Sequence, residues 1–371
     1  MDIISRTHEL EQLFSPEQTT VLEYSQLEIR PFRFHSAMQS VEVNGMEDDV
    51  ISENKMFNYY VFTPKGREKQ DQVIFLLHGL NERSWKKYLP WAEYLAQTTG
   101  KAVLLFPIAF HINRSPQAWM NPRQVRPLVD LRNRAFPGLQ NATFVNAVLS
   151  DRLSQKPSRF FTSGMETVAD LLQLAGKIKN GEHPLFKAGA SIQLFGYSIG
   201  AMISEILLLS NPNSLFSDSR LFMFCGGSVF SKMNANARDI LDSATNEHLQ
   251  LYYSTSFWKN KLSFKIPVLE RCKKAFQSLI SAERLCEYRE TLLQPVKDHI
   301  QAISLKADNV IPTAGIQLAL GKYSGSILKE MDFPYPYSHQ WPFPLNGKAQ
   351  PAVVNACFRD VFDRIAGFLL P

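Results

Sequence analysis

The run Ser191-Ile192-Gln193-Leu194-Phe195-Gly196-Tyr197-Ser198-Ile199-Gly200-Ala201-Met202-Ile203-Ser204-Glu205-Ile206-Leu207-Leu208-Leu209 changes its periodicity halfway along. Its first part is a short apolar run with β-branched and aromatic residues, the pattern of a buried strand. From Ala201 onward the apolar residues follow a helical pattern. Between the two, Gly196-Tyr197-Ser198-Ile199-Gly200 leaves room only for a sharp turn, with a glycine two residues to either side of the serine. That spacing has a physical reason. The serine sits in a strained conformation, and its flanking residues approach neighbouring backbone so closely that side chains there would clash. Ser198 Oγ then projects from the carboxyl end of a sheet, with a helix N-terminus behind it that favours developing negative charge.

A strand, a G-x-S-x-G turn and a helix in this order make a nucleophile elbow. Alone the pentapeptide is weak evidence, because glycines after a strand also make plain turns. The surrounding chain adds to it. Gln72–Leu77 is a continuous apolar strand running into His78-Gly79-Leu80-Asn81, followed by a helix over about 86–98 that ends at Gly100. Ala102-Val103-Leu104-Leu105-Phe106-Pro107 is the next strand, which predicts a βαβ unit in a parallel sheet. Phe161–Ala175 reads as the amphipathic helix that precedes the elbow strand. Beyond the elbow helix, Arg220–Gly227 is a strand with no carboxylate at its carboxyl end, and Cys225 there reads as a small buried apolar residue.

Two later stretches carry ionisable groups at strand ends. The strand beginning at His299 leads to Asp308 in a short loop, with Pro312 near the start of a helix. By itself Asp308 also reads as a helix N-cap. Ser326–Pro334 is the last strand, and it enters the proline- and aromatic-rich loop Tyr335-Pro336-Tyr337-Ser338-His339-Gln340-Trp341-Pro342-Phe343-Pro344 before a helix over Ala352–Leu369. Of the eight histidines, only His339 follows the final strand.

These motifs, in this order, resemble the α/β-hydrolase fold superfamily of the serine hydrolase type, over about residues 55–371, with no close family member identified. The resemblance implies an α/β architecture: a mostly parallel central sheet flanked by helices, a helical cap insertion and an N-terminal extension. It divides the chain into an extension with short strands (1–54), a core (55–227 and 297–371) interrupted by a basic insertion (108–160), and a cap or lid (228–296). It also assigns roles. Ser198 is the nucleophile, His339 the general base and Asp308 the acid that holds the imidazole tautomer; the amides of Leu80 and Ile199 form the oxyanion hole. Gly196 and Gly200 are the elbow glycines, His78 props its loop, and Asn81, Tyr197, His111 and Trp341 are candidates for a substrate pocket. The expected activity is cleavage of an ester, thioester or related acyl bond through an acyl-enzyme. An acyltransferase or peptidase using the same triad, and a non-catalytic binding protein of the same fold, stay open.

Composition bounds the remaining classes. The 371 residues, 45% hydrophobic and 20% charged, suit a globular protein with a large core, and a net charge of +5 is too mild to indicate nucleic acid. Four scattered cysteines (Cys225, Cys272, Cys286, Cys357) give no metal-ligand spacing and suit reduced thiols. No metal or cofactor is expected, and no phosphate-binding glycine motif is present. No membrane span and no signal peptide are expected, so a cytoplasmic location is; oligomeric state is left open. Charge is uneven, however. Residues 101–160 hold nine basic and two acidic side chains, and this excess leaves two readings: attraction of an anionic substrate, or a solvated or subunit-contacting surface. In the cap, Tyr252-Tyr253 and Phe257-Trp258 fit either an acyl pocket or the cap's own packing, and helices are expected over 236–249 and 269–293.

Overall fold

A computed structural model describes residues 2–37, 48, 50–66, 69–260, 264, 266–347 and 349–370. Among these, the apolar runs form one mixed sheet from β1 (Thr20–Leu22), β2 (Leu27–His35), β3 (Met56–Pro64), β4 (Gln70–Leu77), β5 (Ala102–Phe106), β6 (Phe186–Tyr197), β7 (Leu221–Phe224), β8 (Ile300–Leu305) and β9 (Leu328–Met331). Their spatial order is β1-β2-β3-β5-β4-β6-β7-β8-β9. The first three strands pair antiparallel, β3 also against β5, and every pair from β5 to β9 is parallel. Ser40-Val41-Glu42-Val43-Asn44, whose alternation reads as a half-buried strand, and the turn signal Asn44-Gly45 lie outside the described residues.

Helices cover both faces. α1 (Ile3–Leu13) and α2 (Ser52–Lys55) accompany the opening strands, and α3 (Tyr88–Thr99) joins β4 to β5. α4 (Pro122–Ala135), α5 (Ala147–Gln155) and α6 (Arg159–Lys179) precede β6, and α7 (Ile199–Ser210) leaves it. α8 (Ser243–Ser254), α9 (Pro267–Ser278) and α10 (Cys286–Leu293) stand between β7 and β8; α11 (Thr313–Leu320) and α12 (Ser324–Ile327) stand between β8 and β9; α13 (Pro351–Leu369) closes the chain. Pleating explains why β4 is apolar throughout. Val73, Phe75 and Leu77 enter the core under α6, α7 and α9, while Ile74 and Leu76 enter the core under α1, α3 and α13. Each fully buried side chain of this size contributes about 1.5–3 kcal/mol, so the two cores hold the sheet more than local propensity does.

Two helix expectations need correction, and the opening segment holds more than its expected strands. Residues 1–54 contain a helix as well as short strands, and its Arg6 donates to the buried Glu93 of α3 at 2.8 Å, beside Ser25 at 2.6 Å from the same carboxylate. The helix expected over 236–249 starts only at Ser243, where Asp242 caps it by accepting from the Thr245 amide at 2.9 Å. The helix expected over 269–293 is two helices, α9 and α10, with Leu285 in a left-handed conformation between them.

The basic stretch turns much of its charge inward. Arg114 is fully buried, 2.9 Å from Asp170 and 3.3 Å from Glu166, with its guanidinium 4.1 Å from the centre of the Phe57 ring. Arg132 clasps Asp242 through two bonds at 2.6 and 3.0 Å, which ties α4 to the start of α8. Both are structural ion pairs of a kind that sequence counting cannot tell from a surface patch. Removing one partner of such a buried pair strands the other charge, at about 3–5 kcal/mol. Arg114→Met is therefore expected to destabilise the fold by that amount in denaturant unfolding, and an unchanged midpoint would show that the pair carries no such weight.

Candidate active site

β6 and α7 meet head to tail at Ser198, whose backbone adopts φ 56° and ψ −124°, a region that L-residues rarely enter. The Ser198 amide donates to the Phe224 carbonyl at 3.2 Å, which ties the turn to β7. The glycines around it are sterically required. A Cβ on Gly196 would lie 2.3 Å from Ala201 Cα, one on Gly200 2.3 Å from the Leu77 carbonyl oxygen, and one on Gly226 2.5 Å from the Ser198 carbonyl oxygen. All three obstacles are backbone atoms, which cannot move aside as a flexible side chain would.

The structure brings Ser198, His339 and Asp308 together. His339 Nε2 lies 2.7 Å from Ser198 Oγ, and His339 Nδ1 lies 2.7 Å from Asp308 Oδ2. All three are at least 95% buried. Asp308 uses its other oxygen locally, accepting the Val310 and Ile311 amides at 2.9 Å each. It does not cap α11, where Pro312 occupies the cap position. The loop carrying His339 is fastened from outside. Tyr197 donates its hydroxyl to the His339 carbonyl and stacks its ring on the imidazole, with 5.6 Å between centroids. Lys87 donates to the Gln340 carbonyl at 2.9 Å, and the Tyr337 hydroxyl accepts from the Ala307 amide at 2.8 Å.

The loop after β4 is equally constrained. His78 is fully buried; its Nδ1–H donates to the Gly79 carbonyl at 2.8 Å and its Nε2 accepts from the Ile108 amide at 2.9 Å. Those partners demand the neutral tautomer, and burial holds the imidazole well below its ordinary range. The Gly79 amide donates to the Tyr88 hydroxyl at 2.9 Å. By contrast, neither the Leu80 nor the Ile199 amide has an intramolecular acceptor among the described residues.

Leu80, Ile199 and Ser198 line one cavity. Its other walls come from Phe160, from the segment between β7 and β8, including Phe230, Met233 and Leu241, and from Val310 and Ile311 after β8. Asn246 and Gln250 are the polar residues there besides Ser198, and each is committed to backbone: Asn246 accepts the Ala235 amide and Gln250 donates to the Met233 carbonyl, both at 2.9 Å. No ionisable side chain lines the cavity.

The four pocket candidates from the sequence stand elsewhere. Asn81 donates to the Val145 and Asp239 carbonyls at 3.1 and 2.8 Å, and with His111 it lines a different cavity. Tyr197 is behind His339, and Trp341 is an exposed rim residue 5.6 Å from Lys87. Beyond Leu80, Ser198 and Ile199, the residues that line the cavity carried no sequence signal, being ordinary apolar positions of loops and helices. Tyr253 and Phe257 belong to the core packing of their own segment. Among the described residues no group of His, Cys, Asp and Glu could hold a metal ion, and no helix is long and apolar enough to cross a membrane.

A family model described as "Family of unknown function (DUF6051)" matches residues 37–370. No protein of curated function matches the sequence. Among solved structures, a mutant of esterase rPPE is similar over 100% of this chain and 97% of its own, at 12% identity and a TM-score of 0.50. An esterase of Pyrobaculum calidifontis aligns over 100% and 92% at 10% identity and a TM-score of 0.46. An acylaminoacyl peptidase of Pyrococcus horikoshii aligns over 91% of this chain and 42% of its own, at 14% identity and a TM-score of 0.44. The chain has the α/β-hydrolase fold.

One buried group behind the elbow gives a test of its own. Glu205 of α7 is fully buried, and neither carboxyl oxygen has a hydrogen-bond partner among the described residues. Burial pushes it up to about 8, against the pull of Arg289. A carboxyl raised in the folded state stabilises the fold below its unfolded value, and that contribution is lost as pH rises through about 8. Glu205→Gln is expected to match the wild type in thermal unfolding near pH 5 and to exceed it increasingly toward pH 8; parallel curves would contradict the assignment.

Proposed function

The chain belongs to DUF6051, a family of unknown function, so its chemistry has to be read from its own side chains, and we propose that it is a serine hydrolase acting on an ester, thioester or related acyl bond. One observation carries this reading: the unbroken relay from Ser198 Oγ through His339 to Asp308 at 2.7 and 2.7 Å, beside two unengaged amides. With Nδ1–H donated to Asp308, the lone pair of Nε2 faces the serine hydroxyl and takes its proton as Oγ attacks the acyl carbonyl. The Leu80 and Ile199 amides, the second at the N-terminus of α7, stabilise the tetrahedral oxyanion, each by about 3 kcal/mol. His339 then returns the proton to the leaving group, and water, deprotonated by the same nitrogen, releases the acyl group.

The cavity sets the acyl side of the substrate. Its lining is apolar and carries no charge, so an uncharged, apolar acyl group of modest size is the expected occupant. Water as the final acceptor distinguishes this reading from acyl transfer to an alcohol or amine, and product analysis with and without such an acceptor separates the two.

Ser198→Ala is expected to lower hydrolysis of short p-nitrophenyl esters by roughly a thousandfold or more with unfolding unchanged, and to abolish labelling by a fluorophosphonate. Retained turnover in that variant would end the proposal. Asp308→Asn, which permits the wrong imidazole tautomer, should lower kcat by about 10⁴-fold while KM stays close to the wild-type value. Leu241→Trp, which narrows the cavity, should suppress longer acyl chains more than acetyl.

A further inference from the structure

A second cavity lies along the same loop: Leu80 lines the first cavity, whereas Asn81 and Glu82 line the second. Its chemistry is the opposite of the first. Arg83 and Arg152 contribute guanidinium groups, Phe110 and Trp119 contribute aromatic faces, and His111 contributes an imidazole.

His111 is 6% exposed. Its Nδ1–H is used, donating to the Ala109 carbonyl at 2.8 Å, so Nε2 is left as an acceptor. That buried atom has no partner among the described residues. Burial pushes the imidazole down to about 4, so it stays neutral, and Nε2 stays an acceptor, at ordinary pH. A buried acceptor with no donor is rare in a native protein and calls for something to complete it.

Arg83 presents the matching charge. Burial alone shifts it; among the described residues it has no carboxylate partner and one hydrogen bond, to the Trp119 carbonyl at 3.5 Å, and its guanidinium lies 5.8 Å from the centre of the Phe144 ring. The other charges nearby have partners. Arg152 is paired with Asp48 at 3.0 Å and lies over the Phe110 and Trp119 rings at 4.9 and 4.5 Å. Glu82 is paired with Lys87 and accepts from the Tyr88 hydroxyl at 2.7 Å. The backbone around the cavity is strained at Phe110 and Ile112, with φ of 65° and 49°. Strain of this kind concentrates where side chains are held ready for a ligand.

We propose that this cavity binds a small organic anion that carries a hydroxyl or N–H donor beside its charged group. The anion pairs with Arg83, the donor completes His111 Nε2, and the body of the molecule lies against the Trp119 and Phe110 rings. The site stands apart from the reaction at Ser198 and does not rest on it.

Titration calorimetry on the full chain tests this with two probes, L-lactate and glycerol 3-phosphate, which distinguish a carboxylate from a phosphate. Each is paired with a relative lacking the hydroxyl, propionate and methyl phosphate. At least one probe is expected to bind the wild type saturably, its hydroxyl-free relative at least tenfold more weakly. Arg83→Gln and His111→Phe should each weaken the bound probe at least tenfold, and Ser198→Ala should leave it unchanged. Absence of saturable binding by both probes overturns the proposal, as does equal binding of probe and relative by the wild type. The wild-type comparison needs no variant to fold.

Discussion

Everything at the site depends on how closely α7 passes the carboxyl end of β4. The parallel register pairs Leu77 with Gly196, so the loop after β4 and the turn after β6 leave the sheet side by side. Gly200 then meets the Leu77 and His78 carbonyls with no space for a single additional carbon. That contact brings the Leu80 backbone and Ser198 to one cavity, and it is why the first turn of α7 has glycine where helix propensity alone would favour alanine. A larger residue at 200 would separate the two loops before it affected either strand. The strained φ of Ser198 is maintained by the same crowding, with the bond from its amide to β7 closing the third side.

How much of this could be read in the sequence follows from the range of each interaction. The parallel strands were legible because burial on both faces leaves continuous apolar runs, as in β4 and β5. Ser198, Asp308 and His339 were legible because each follows a strand end, where short-range order fixes what a loop can present. Helix α1 was not, since its stripe is interrupted by Arg6 and Thr7, both buried; Arg6 reaches Glu93, 87 residues away. The cavity lining was equally hidden. Phe160, Met233 and Leu241 have the same character as neighbours that pack into the core, and only tertiary placement separates a wall from a filler.

The basic stretch shows why a charge count is a poor guide to surface potential. Burial of Arg114 and Arg132 is tolerable only because Asp170, Glu166 and Asp242 arrive from distant elements to meet them. Those carboxylates lie far along the chain from their partners, so local composition registers an excess that the folded protein neutralises in part. What charge is left unmatched near the loop after β4 is that of Arg83, a single residue outside the interval that the count singled out.

The partition between the two cavities has a backbone cause. Along an extended segment neighbouring side chains alternate, but a loop needs a further constraint to send consecutive residues into separate chambers. Asn81 supplies it with φ of 59°, and its amide group bridges the Val145 and Asp239 carbonyls, which belong to the stretches before β6 and after β7. Asparagine is one of the few residues that accept this conformation readily, and its side chain here also donates to two carbonyls. The same residue thus turns the loop, seals the seam between two insertions and separates an apolar chamber from a polar one. Its importance lies in that wall, and a residue read from sequence as part of a pocket is better understood as the boundary between two.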